Sequence, residues 1–136
     1  MLQWTAGHTL GEEMKRLEQS DRLVIEGGAA ELQSEVTIVD RSTIRDVLAL
    51  FERYPRGWII ISGAPGDYLL NFYRGDNVLQ VLGLSHGSPR SAFEDTLSFG
   101  SYFRRAPASD VAPLARRLGL PWPPNLKRKQ NAIPRP

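Results

Sequence analysis

The densest group of potentially reactive side chains is Ser85-His86-Gly87-Ser88-Pro89-Arg90-Ser91, followed closely by Glu94 and Asp95. A hydrolase would use Ser88 or Ser91 as nucleophile, His86 as the base that takes its proton, and Asp95 or Glu94 to hold the imidazole. The stretch lacks the Gly-x-Ser-x-Gly spacing, set between a strand and a helix, that lifts a nucleophilic serine into view. Glycine, serine and proline are also the residues that turn a chain most readily. The sequence therefore predicts a surface turn at 85–91 and no catalytic residue, with a small hydrolase built on this loop as an alternative.

His86, Glu94 and Asp95 are also the nearest approach to a metal site, because hard cations accept carboxylates. Cysteine is absent, His8 and His86 are the only histidines, and no run of acids has calcium-loop spacing. Disulfides, thiolate metal centres, a cysteine nucleophile and a three-histidine site are thereby excluded within one chain. Neither a metal nor a cofactor is expected. Gly27-Gly28 lacks dinucleotide-loop spacing, and Gly63-Ala64-Pro65-Gly66-Asp67 lacks the lysine and hydroxyl of a phosphate loop, so both read as turns. Arg74-Gly75-Asp76 matches an adhesion tripeptide but falls where a hairpin has to reverse.

Charge is unevenly distributed. Residues 1–68 hold 7 basic and 11 acidic side chains, whereas residues 69–136 hold 10 and 4. Arg104, Arg105, Arg116, Arg117, Lys127, Arg128 and Lys129 crowd the last third, with Tyr102, Phe103 and Trp122 among them. Arginines interleaved with aromatics can hold phosphates and stack bases, so nucleic-acid binding through these residues is one expectation. The overall charge of +2 is small for that role, and no helix-turn-helix or RNP-type motif is present. In the acidic half, Glu31, Glu35, Asp40 and Asp46 are the residues expected to face a basic protein partner.

The elements that must position these groups follow from periodicity. Thr9-Leu10-Gly11-Glu12 has capping-box spacing, and Leu10, Met14 and Leu17 make one helical stripe ending near 19–21. Leu23–Ile25 and Val36–Val39 read as strands. Asp40 or Ser42 caps a second helix whose stripe is Ile44, Val47, Leu48 and Phe51, stopped by Tyr54-Pro55. Trp58-Ile59-Ile60-Ile61 is short and β-branched and predicts a central strand buried on both faces. Tyr68–Tyr73 and Val78–Leu84, joined by Arg74-Gly75-Asp76-Asn77, predict a hairpin with Tyr68, Leu70 and Phe72 facing the core. Phe93–Thr96 reads as a turn or short helix, and Leu97–Phe103 as one strand bent at Gly100. Ser109 caps a last helix carrying Val111, Leu114 and Leu118 and stopped by Gly119, with a start at Ala112 and Pro113 at the first position as the alternative.

The resulting order is α-β-β-α-β-β-β-β-α. It predicts an α+β fold in which a single antiparallel or mixed sheet of five to six strands carries two to three helices mainly on one face. Length places one domain over 1–120, and a proline-rich basic tail follows over 121–136, docked through Trp122. Trp58 is expected in the core, and Trp4 and Trp122 are expected to pin the terminal segments.

The longest apolar run, Trp58–Ile61, is far below the ~20 residues of a membrane span. The segment MLQWTAGHTLGEEMKRLEQ has no basic start followed by an apolar stretch, which makes the cytoplasm the expected compartment. In size and build the chain resembles the small single-domain proteins that bacteria make as partners or inhibitors, such as cytoplasmic immunity proteins that neutralise toxins. That resemblance rests on general build rather than on a motif. It implies a non-enzymatic domain that binds another protein.

Overall fold

The computed structural model describes residues 9–60, 66–87 and 93–127. Trp4, His8, the turn residues 63–65, Ser88, Ser91, Arg128 and Lys129 lie outside the described residues. Helix α1 (Leu10–Leu17) starts on the expected capping box: the Thr9 hydroxyl accepts from the Glu12 amide while the Glu12 carboxylate returns to the Thr9 amide. It is shorter than the sequence suggests, because the Gln19 and Ser20 amides turn back to the Arg16 and Leu17 carbonyls. Strands β1 (Arg22–Gly27) and β2 (Val36–Ile38) follow, then helix α2 (Arg41–Glu52). Asp40 is the α2 cap. It takes hydrogen bonds from the Thr43 and Ser42 hydroxyls and the Thr43 amide, and these hold its carboxyl below the usual range.

The chain continues through β3 (Ile59–Ile60), β4 (Tyr68–Arg74), β5 (Asn77–Ser85), β6 (Glu94–Phe99), β7 (Tyr102–Pro107) and α3 (Ala108–Arg117). The strand order is β2-β1-β4-β5-β6-β7-β3, and every neighbouring pair is antiparallel. This is an α+β fold with seven strands rather than five or six. The additional strand appears because Leu97–Phe103 is not one bent strand. Gly100 (φ 58°) reverses the chain, so Phe99 pairs with Tyr102 across a tight hairpin. Glu94–Thr96, read as a turn or helix, is the start of β6.

Helix α3 also differs from expectation. It begins at Ala108, uses no side-chain cap, and carries Pro113 inside it. Pro113 faces solvent, where the Ser109 carbonyl that it leaves without an amide partner lies at the surface.

The hairpin β4–β5 turns at Gly75-Asp76, with Gly75 at φ 59°. Register then sets the core. Leu23 opposes Phe72, Ile25 opposes Leu70, Leu70 opposes Leu82, and Tyr68 opposes Leu84, which opposes Leu97. These side chains share one face and are completely buried, each contributing about 1.5–3 kcal/mol. Leu10, Met14 and Leu17 of α1, Val47, Leu48 and Phe51 of α2, and Val111 and Ala115 of α3 complete the same cluster. All three helices therefore lie on one face, and α2 packs between α1 and α3.

The alternate positions, Val24, Leu69, Tyr73, Val81 and Phe103, point to the other face and are half-buried. Among the described residues no helix covers them. The described part of the tail packs on the body: Leu120 and Trp122 are buried, and the Tyr68 hydroxyl donates to the Pro121 carbonyl at 2.7 Å. Beyond them the Lys127 amide donates to Ala29, and Asn125 accepts from Glu31.

Candidate interaction edge

The structure does bring His86 to a carboxylate. Asp95, fully buried on β6, places Oδ1 3.2 Å from the His86 Nδ1 and 2.8 Å from the Gly87 amide. Asp67 accepts the His86 backbone amide at 2.8 Å, and the Ser85 hydroxyl accepts the Asp67 amide at 3.0 Å. The His86 ring meets Trp122 edge-on, with centroids 5.5 Å apart. These contacts form a corner: they tie the end of β5 to β6 and give the tail tryptophan a surface to rest on. The Ser85 hydroxyl is already engaged by Asp67, and Ser88 and Ser91 fall outside the described residues. Among the described residues, no group of three or more histidine and acidic side chains is arranged to hold a metal ion.

The four acidic candidates are dispersed. Asp40 is occupied at the α2 cap, and Asp46 pairs with Arg117 at 2.5 Å. Glu31 and Glu35 are exposed in the β1–β2 connection. The basic candidates are dispersed too. Arg104 lies over the Tyr54 ring, 4.5 Å from its centroid, and donates to the Arg56 and Arg105 carbonyls. Arg105 projects from the opposite face of β7, Arg116 and Arg117 close α3, and Lys127 sits in the docked tail.

A groove of about 310 Å³ runs between α2 and α3. Leu50 and Leu114 line its floor, but its charges pair across it, Asp46 with Arg117 and Arg53 with Asp110. The Tyr54 hydroxyl donates to Asp110. Burial and that hydrogen bond push the Tyr54 phenol up to about 12.

The most unusual feature is at the end of the sheet. Trp58–Ile61 was expected to be central and buried on both faces, and that expectation is overturned. β3 is the outermost strand, and Ile59 and Ile60 are 57% and 68% exposed. Of the described residues of this run, Trp58–Ile60, only Trp58 goes inside, and Ile61 lies outside the described residues. Trp58 stacks on Phe51 at 6.2 Å, and its indole donates to the Tyr54 carbonyl. Gly57 (φ 85°) makes the turn before it and lies against the Arg104 guanidinium. An anchored tryptophan and a braced turn thus hold two bare isoleucines at a sheet edge. Register puts Ile59 on the open face beside Phe103, and Ile60 on the helix side beside Tyr102.

The sequence carried one signal for this arrangement, the apolar run bounded by Gly57 and Gly63. Periodicity reports which face a residue occupies and is silent on where its strand sits in a sheet. Among the described residues no helix is long and apolar enough to cross a membrane. No protein-family model, no curated protein and no solved structure matches the chain, so no family stands behind this edge and its reading rests on geometry.

Proposed function

We propose that the chain is a non-catalytic protein-binding domain of the inhibitor or immunity type, and that its partner docks along the β3 edge. The observation that supports this reading is the exposure of Ile59 and Ile60 on a terminal strand. Natural sheets blunt such edges with charge, proline or a covering element, because an unprotected apolar edge recruits further strands. Here residues 57–60 contain no charge and no proline, and Trp58 fixes the strand in place rather than letting it fold away. The sheet face that no helix covers among the described residues, with the half-buried Leu69, Val81 and Phe103, continues the same surface.

The ionisable groups favour the same reading. Several are engaged inside the molecule: Asp95 through Oδ1 on the 86–87 corner, Asp110 on Tyr54, Asp40 on a helix cap. Docking at β3 moves the proposed contact away from Asp40 and Asp46, which are already engaged. Isolation of the tagged chain from its own cells at physiological salt tests the reading. A stoichiometric complex with one protein is the expected result. Recovery of the chain alone, or an activity abolished by His86→Ala, would count against it.

A further inference from the structure

We propose that β3 takes up an extended segment of the partner as an eighth strand, and that this segment alternates aliphatic with acidic side chains. The proposal rests on the protein-binding reading and adds the chemistry of the occupant. Strand addition uses main-chain hydrogen bonds for affinity and alternate side chains for specificity. β3 pairs with β7 on one side only, since it ends the strand order. Its two isoleucines project from opposite faces: Ile60 offers an aliphatic contact on the helix side, and Ile59 shares the open face with Arg105.

The charge around this edge has one dominant sign. Arg56 stands on the chain leading into β3, and Arg105 projects from β7 on the face that carries Ile59, whereas Arg53 is paired with Asp110 at 3.4 Å. Arg53, Arg56 and Arg105 are all exposed. The acids nearby are Glu52 at the end of α2, Asp110 on α3, which is committed to Tyr54 and Arg53, and Glu94 on β6, which shares the open face with Arg105. An apolar edge flanked by arginines fits a strand whose outward positions are carboxylates. Pairing β3 with β3 of a second copy would bring two arginine-bearing edges together, which like-charge repulsion disfavours.

The test uses the full chain, 15N-labelled, and two peptides of about ten residues, the upper length of ordinary strands. One alternates valine with glutamate, and the other has lysine in place of glutamate. The glutamate peptide is expected to shift the amides of Gly57–Ile60 and of β7, with affinity falling as salt rises. The lysine peptide should leave them unmoved. Arg105→Glu should weaken the glutamate peptide about tenfold and admit the lysine peptide. Ile60→Glu should weaken the glutamate peptide while leaving the remaining spectrum that of the parent fold.

Equal binding of both peptides, shifts centred on Val36–Ile38, or no shift with either would overturn the proposal. A dimer of the chain that Ile60→Glu dissolves would overturn it as well, in favour of self-pairing. Failure with both peptides would still leave the co-isolation result standing, so loss of this proposal is separable from loss of the protein-binding reading.

Discussion

The two edges of the sheet are built from similar residues and end in different states. β2 offers Val36 and Ile38, both half-buried, around an exposed Thr37, and Glu35 and Asp40 bracket it. β3 offers Ile59 and Ile60, both exposed, with arginines nearby and no charge in the strand. The β2 edge has the devices that discourage further pairing: short length, flanking charge and a polar centre. The β3 edge is short and has Arg56 on its approach, but it has no polar residue within the strand. Val39, just past β2, and Ile60 have the same 68% exposure, so exposure by itself does not separate the edges. What separates them is that Ile60 lies within a strand held rigidly by a buried neighbour, whereas Val39 lies in the connection to a helix.

The largest effect is expected from removing that neighbour. Trp58→Ala should cost about 3–5 kcal/mol in urea unfolding, the usual range for truncating a buried large aromatic. It should also release the β3 amide bonded to β7 to exchange while the β2 amides bonded to β1 stay protected. Equal loss of protection at both edges would mean that Trp58 supports the core in general and not β3 in particular.

Tyr54→Phe comes next, at about 1–3 kcal/mol, for a hydrogen bond to a charged group. Tyr54 both carries the Arg104 guanidinium and supplies the carbonyl for the Trp58 indole. Its phenol is raised to about 12 in the folded chain from 10.0. The protonated form therefore favours folding, fully below pH 10, and this contribution is lost as pH rises toward 12. The stability difference between the parent and Tyr54→Phe should be flat from neutral pH to 10 and shrink above it. A difference that grows above pH 10 would reverse the assignment.

His86→Ala lies away from both edges and should cost about 1–3 kcal/mol, because it removes the ring contact with Trp122 and a partner of the buried Asp95 carboxylate. It should alter the emission of Trp122 and leave partner binding intact. The smallest effect on stability is expected from Ile60→Lys and Val39→Lys. Each should fall within about 0.5 kcal/mol of the parent, as exposed substitutions do.

Much of the fold is legible in the sequence wherever a local rule decides it. The Thr9–Glu12 box, the Asp40 cap, the Gly75 turn and the inward set Tyr68, Leu70 and Phe72 all follow from short-range spacing. The structure departs from expectation where a non-local partner decides the outcome. Leu97–Phe103 alternates like one strand, and only the pairing of Phe99 with Tyr102 reveals two. Pro113 argues against a helix interior, yet Val111, Leu114 and Ala115 bury enough surface to hold α3 through it.

The candidate site was the least legible part. Hydrophobicity marks Ile59 and Ile60 as core, and their exposure follows from β3 being last in the strand order. The His86–Asp95 pairing was within reach of sequence reasoning, since both residues were already candidates. What spacing alone could not supply was the Trp122 ring against which His86 rests.

The most direct measurement is a parallel isolation of tagged parent, Ile60→Lys and Val39→Lys chains from the same cells, with the amount of co-purifying partner compared. The account expects the parent and Val39→Lys to retain the partner in equal amounts and Ile60→Lys to lose it, with all three chains equally folded. Retention by Ile60→Lys, or equal loss from both variants, would contradict it.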